Sequence, residues 1–191
     1  MAPAQLHQPN TFECDLDDLV PRLLGKWRVV ASTLPLWKDK KNVVIEYKRI
    51  EDQHWTTIDD LVSYNKRTDT PGKAPSTVHG TDKLESVDVT STQGKLIAGP
   101  RWKWRGRGWL MIASSRWQVL GHNLAASTPD DPEWVVTYFA STLFTPAGLD
   151  IYTRTSLPDE TVERLTKELQ ALGGEVGRLA DGDQMFRIPH D

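Results

Sequence analysis

Cysteine is all but absent: Cys14 is the only one in 191 residues. An intramolecular disulfide is therefore excluded, and so is a zinc site built from paired cysteines. Long apolar runs are missing too. The segment Trp109-Leu110-Met111-Ile112-Ala113 is typical of the longest, and a bilayer-spanning helix needs roughly 18–20 such residues. Neither sign of charge dominates, with 23 Lys and Arg against 26 Asp and Glu and a net charge of -3. A general nucleic-acid binder carries a marked basic excess, so nucleic acid is not an expected partner. The first ten residues hold no basic stretch and no apolar run, and do not read as a secretory signal. The expected location is the cytoplasm.

Familiar catalytic signatures are also lacking. There is no phosphate loop, no dinucleotide fingerprint, no HExxH and no GxSxG. The five histidines (His7, His54, His79, His122 and His190) are scattered, with no pair at metal-ligand spacing. No metal and no cofactor is expected.

What is present is a well-patterned single domain. A hydrophobic fraction of 38% is enough for a core. Eight tryptophans, twice the count of either Tyr or Phe, are the compositional outlier. Residues 1–14 are expected as a flexible arm and residues 15–191 as one domain. Residues 15–24 read as a short helical turn. Eight period-two segments follow, over 26–34, 43–50, 54–64, 77–91, 95–105, 109–120, 133–144 and 149–155. In Arg101-Trp-Lys-Trp-Arg105 the alternation is strict, which places both tryptophans on one face and the cations on the other. Pro158-Asp159-Glu160 then opens a helix. Val162, Leu165, Leu169 and Leu172 recur at helical spacing, and Gly173-Gly174 ends it, so the helix is expected over about 159–172. Residues 184–188 suggest a short final strand.

Eight consecutive strands joined mostly by short turns form a meander, and a meander of eight can close into an up-and-down barrel. The expected fold is all-β: an eight-stranded antiparallel up-and-down barrel, with a short N-terminal helical turn and one C-terminal α-helix packed outside. An eight-stranded interior holds side chains or one small ligand.

Three features, in order, resemble the lipocalins of the calycin superfamily. Leu24-Gly25-Lys26-Trp27 is similar to the G-x-W motif that opens the first barrel strand of that family. Leu149-Asp-Ile-Tyr-Thr-Arg154-Thr155 resembles its last strand, with Arg154 at the place of the family's arginine. The helix from Asp159 to Leu172 resembles the helix that packs outside the barrel. The stretch Gly121 to Pro132 departs from the family's middle motif, and the disulfides of secreted members are missing, so the nearer likeness is to divergent intracellular calycins. The resemblance implies that Trp27 plugs the closed end and that Arg154 packs across it, so Gly25, Trp27 and Arg154 are assigned structural roles.

The resemblance also implies a small hydrophobic or amphipathic molecule held in the barrel. Strand alternation offers the wall: Tyr47, Ile58, Tyr64, Trp102, Trp104, Trp109, Met111, Trp117 and Tyr138 are the expected ligand-binding residues. Trp37, Trp55 and Trp134 fall at strand ends, where they rim the mouth or cap the sheet. The alternative is a cofactor-free enzyme, an isomerase, cyclase or pericyclase of secondary metabolism, using the same cavity. Its candidate catalytic residues are Asp60, in phase with Ile58, Val62 and Tyr64, His79 on the fourth strand and Arg116 on the sixth. The expected assembly is a monomer or a homodimer.

Overall fold

A computed structural model of the chain describes residues 5–51, 56–85, 100–108, 114–124 and 132–191. Helix α1 (Leu16–Leu23) begins at Asp15, whose carboxylate accepts the backbone N–H of Asp17 at 2.9 Å. That contact satisfies one of the unpaired donors of a helix start. Eight strands follow: β1 (Gly25–Ser32), β2 (Lys40–Arg49), β3 (Thr57–Lys66), β4 (Ser76–Leu84), β5 (Arg101–Gly106), β6 (Ser114–Asn123), β7 (Trp134–Phe139) and β8 (Gly148–Thr153). Each pairs antiparallel with the next, and β1 pairs with both β2 and β8. The sheet therefore closes on itself as the expected up-and-down barrel. Closure leaves no unpaired strand edge along the ring. A two-residue strand, β9 (Phe186–Arg187), adds to β1 at Ala31 and Ser32.

The expected C-terminal helix is α2 (Asp159–Ala171), and a short α3 (Gly174–Leu179) follows it directly. Val162, Leu165 and Leu169 of α2 and Val176 of α3 are buried against Val30, Leu120, Trp134, Val136, Leu149 and Ile151 on the outer face of the barrel. Burying an aliphatic side chain of this size contributes roughly 1.5–3 kcal/mol, so these four hold the helices to the sheet. One consequence is that β8 is buried on both faces along its whole length, and β7 nearly so.

The other end is closed. Trp27 is fully buried and donates its indole N–H to the carbonyl of Leu23 at 2.7 Å. The Arg154 guanidinium lies over the Trp27 ring, 3.9 Å from its centroid. It donates to Glu133 at 2.8 Å and to the backbone carbonyls of Arg22 and Lys26. Gly25 has φ +100°, and a Cβ there would stand 2.9 Å from Arg154 Nη1. A side chain at 25 would thus meet both backbone strain and the guanidinium.

Residues 1–14 are expected as a flexible arm, but from Gln5 onward the chain lies against the barrel. The N–H of His7 donates to Leu120 O at 2.8 Å, and the N–H of Asn10 to Gln118 Oε1 at 2.6 Å. Phe12 is buried and packs edge-on against His122, with ring centroids 5.6 Å apart.

Candidate ligand cavity

Inside the barrel, away from α1, lies a cavity of about 750 Å³ that opens at the turn Pro35–Trp37 and the loop 140–147. Strand alternation decides what lines it. On β3 the residues facing in are Ile58, Asp60, Val62 and Tyr64, in the expected phase. On β5 they are Trp102 and Trp104, and on β6 Ser115 and Trp117. The Trp102 and Trp117 rings stack with centroids 4.7 Å apart, and Tyr47 of β2 stacks on the other face of Trp117 at 5.6 Å. Of these three rings Tyr47 and Trp117 form one side of the cavity, and Trp102 lies deeper. Trp37 and Tyr64 meet edge-on at 6.2 Å nearer the mouth. Gly80 of β4 makes room for Trp104: a Cβ at position 80 would fall 2.3 Å from the indole nitrogen.

The expected ligand residues separate into three groups. Tyr47, Tyr64, Trp104 and Trp117 line the cavity. Ile58 and Trp102 point inward but lie deeper, in the packed core. Tyr138 faces the other way. It sits under the C-terminal helices and donates its hydroxyl to Glu175 at 2.9 Å. The register explains the difference, since Phe139 stands opposite the inward Trp117 and therefore takes the inner face. Trp134 shares the outer face with Tyr138 and packs beneath the helices. Trp109, Met111 and Trp55 lie outside the described residues.

The candidate catalytic residues separate as well. Asp60 is inward, 5% exposed, and lines the cavity. His79 is one residue out of phase with Gly80. Its ring projects from the outer surface to Asp59, at 2.9 Å, and Arg107 joins that cluster. Arg116 borders the mouth, but its guanidinium turns outward to a bidentate contact with Glu85, at 2.9 and 3.1 Å. Neither His79 nor Arg116 presents its charged group to the cavity.

Two further acids fall outside the sequence-based expectation. Asp82 of β4 and Asp150 of β8 are fully buried inside the barrel. Asp82 accepts the Trp117 indole N–H at 2.7 Å. Asp150 accepts the Ser32 hydroxyl at 2.5 Å and the Trp37 indole N–H at 3.3 Å, and it lines the cavity. Asp60 and Asp82 hydrogen-bond to each other, and no other donor among the described residues reaches Asp60 Oδ1 or Asp82 Oδ2.

Three carboxyls buried together, without a buried cation among the described residues, resist ionising together. Burial, and next the neighbouring charge of Asp82, hold the Asp60 carboxyl well above the usual carboxylate range. Burial pushes Asp82 up to about 7 against the opposing hydrogen bonds from Trp117 and Asp60. Asp150 is pushed to about 7 by burial, against its bonds from Ser32 and Trp37. Burial thus favours the protonated form of Asp60, and one proton between Asp60 and Asp82 serves both acids. The Tyr47 and Tyr152 phenols, buried beside them, are held neutral far above their ordinary range, first by burial.

At the mouth, Leu143 and Phe144 are 95% and 93% exposed, with Leu36 across from them. Lys40, also at the rim, pairs with Asp39 at 2.6 Å and sits over the Tyr64 ring. No helix among the described residues is long and apolar enough to cross a membrane.

A closed eight-stranded meander with a plugged base, an open mouth and an outer helix defines a class, the lipocalin or calycin fold. Solved structures similar to the chain bear this out. Insecticyanin from the tobacco hornworm Manduca sexta superposes with a TM-score of 0.59 at 15% identity, over 100% of this chain and 88% of that one. The siderocalin Ex-FABP, described as functioning through dual ligand specificities, gives 0.55 at 14% identity, over 89% of this chain and 95% of that one. Apocrustacyanin C2 gives 0.53 at 12% identity, over 100% and 94%. No protein-family model and no curated protein matches the chain.

Proposed function

We propose that the protein binds a small hydrophobic or amphipathic molecule in the barrel, in a cytoplasmic setting suited to its single thiol. The observation that carries this reading is the cavity itself. About 750 Å³ walled by Ile45, Val62, Val78, Phe139, Tyr47 and Trp117 is of ordinary ligand size. A few polar groups, Asp60, Asp150 and the Tyr64 phenol, punctuate that wall and fix orientation. The exposed Leu143 and Phe144 give an apolar approach to the mouth. Trp37, Trp104 and Trp117 line the cavity, so a bound ligand alters tryptophan emission. The test is fluorescence titration with a panel of apolar dyes and aromatic compounds, on the parent and on Val62→Trp, whose added indole narrows the cavity. Saturable quenching that Val62→Trp weakens is expected. No saturable response from any compound would refute the reading.

A second reading, a cofactor-free isomerase or cyclase, draws on one observation: Asp60 presents to the cavity a carboxyl, 5% exposed, whose protonated form burial favours. Such a group acts as a general acid, giving its proton to the substrate and taking one back from substrate or solvent before the turnover ends. Holding a flexible substrate in a reactive shape adds to the rate. On this reading Asp60→Asn lowers kcat about 10²- to 10⁴-fold with a much smaller change in KM. Turnover that is unchanged in Asp60→Asn would eliminate it.

A further inference from the structure

Resting on the binding reading, the geometry points to an organic cation as the ligand class: we infer a protonated amine on a flat apolar body, with its ammonium group at Asp60.

The first ground is the imbalance of charge. Among the described residues, the buried charged side chains are three acids, Asp60, Asp82 and Asp150, and no lysine, arginine or histidine is buried with them. Buried carboxyls in proteins are ordinarily paired with a cation or fully hydrogen-bonded. Here the donors are two indoles and one hydroxyl, all neutral. Lys40 and Arg116, which border the cavity, are turned to Asp39 and Glu85.

The second ground is the company Asp60 keeps. It lines the cavity, is 5% exposed, and its carboxyl pairs among the described residues with another acid, Asp82, and with no cation. A ligand ammonium offsets the charge of that pair, whereas a hydrocarbon does not and a carboxylate or phosphate meets repulsion. The third ground is the wall. The rings of Trp37, Tyr47, Tyr64, Trp104 and Trp117 line the same space, and one cation, Lys40, already sits over Tyr64. Ring faces attract cations, the more so where water is excluded.

Proton release follows from the same arrangement. The titratable and charged groups around Asp60 and its cavity are Asp59 and Tyr64 on β3, Asp82 on β4, Tyr47 and Lys40 on β2, Arg116 on β6, and Asp150 and Tyr152 on β8. Without ligand, burial holds the Asp60–Asp82 pair protonated. An ammonium beside it favours the carboxylate, so one proton passes to solvent as the amine binds. Affinity for the amine therefore rises with pH until the amine itself deprotonates, near pH 10.

The experiment uses three probes with one body: 2-(1-naphthyl)ethylamine, 2-(1-naphthyl)ethanol and 3-(1-naphthyl)propanoate. Binding to the full chain is measured by calorimetry at about pH 6 in phosphate and at about pH 8 in phosphate and in HEPES. At pH 8 the amine is expected to bind about tenfold or more tighter than the alcohol, and the propanoate more weakly than either. The amine should tighten from pH 6 to pH 8, and its heat should differ between buffers by the ionisation of one proton. Asp60→Asn should reduce the amine-to-alcohol ratio about fivefold or more. Should that variant fail to fold by circular dichroism, the pH and buffer series on the unaltered chain decides alone. Alcohol or propanoate binding as tightly as the amine at pH 8, without proton release, overturns the inference and leaves the cavity reading standing. Failure of all three probes to bind overturns both.

Discussion

Replacing Asp150 with asparagine makes the stability of the barrel less sensitive to pH, in a direction fixed by its burial. Asp150 is fully buried between Ser32 and Trp37, and its folded pKa is about 7 against 3.8 for the free side chain. A raised folded pKa means that the native state holds a proton that the unfolded chain has released. The stability contributed by that proton is complete below about pH 4 and is lost as pH rises through about 7. Integrating proton binding with these two values gives a loss of about 2.5 kcal/mol between pH 5 and pH 8 from this one residue. The amide of Asp150→Asn has nothing to titrate. It also keeps only one acceptor for two donors, which costs about 1–2 kcal/mol at every pH. The constant offset and the pH-dependent part therefore separate cleanly. Urea unfolding of both proteins at half-unit steps from pH 5 to pH 8 measures the difference in stability, which should move by about 2.5 kcal/mol in favour of the variant. In thermal scans the same change is about 5–10 °C for a chain of this size. A stability difference that stays flat over this range would refute the reasoning, because it would mean that Asp150 is ionised at pH 5 in the folded barrel.

Two further substitutions test the closed end and the wall. Arg154→Lys keeps the charge but loses the planar contact with Trp27 and most of the bonds to Glu133, Arg22 O and Lys26 O. It should lower stability by about 1–3 kcal/mol in urea unfolding, and an unchanged midpoint would show that the plug is held by packing alone. Gly80→Ala drives a methyl group into the Trp104 indole, at 2.3 Å. It should destabilise by about 1–3 kcal/mol and shift the tryptophan emission as the ring moves into the cavity. Both effects of Gly80→Ala should shrink in a Trp104→Leu background, and their persistence there would locate the strain in the β4 backbone instead.

How far the sequence reveals this barrel depends on what covers each strand. Arg101-Trp-Lys-Trp-Arg105 declares its phase because β5 has water on one side, and both tryptophans indeed point inward. β3 behaves likewise, so Asp60 can be placed beside Val62 and Tyr64 by counting. β7 and β8 cannot be phased in this way. The helices α2 and α3 cover their outer faces, both sides are apolar, and the alternation disappears. That is why the sequence points Tyr138 at the cavity, where the fold puts Phe139 instead. Trp102, Trp104 and Trp117 follow from pattern, whereas Trp134 and Trp37 are placed only by the fold, one beneath a helix and one at the mouth.

The buried acids are harder to find for a more basic reason. A carboxyl on a strand is read by default as solvated, since ionised groups leave water only at a large cost. Asp82 is in phase with Val78 and Gly80 on β4, so the counting that finds Asp60 reaches it as well. Asp150 alternates with Tyr152 across Ile151 on β8, where both phases look apolar and counting gives no answer. What distinguishes these acids is that no base is buried with them among the described residues, a property of the closed barrel and not of local sequence. Three carboxyls sharing one interior without a buried cation lower the stability of the empty barrel as pH rises. A bound cation removes that penalty, so an amine ligand should stabilise the folded chain more at pH 8 than at pH 6, and a neutral ligand of the same body should stabilise it equally at both.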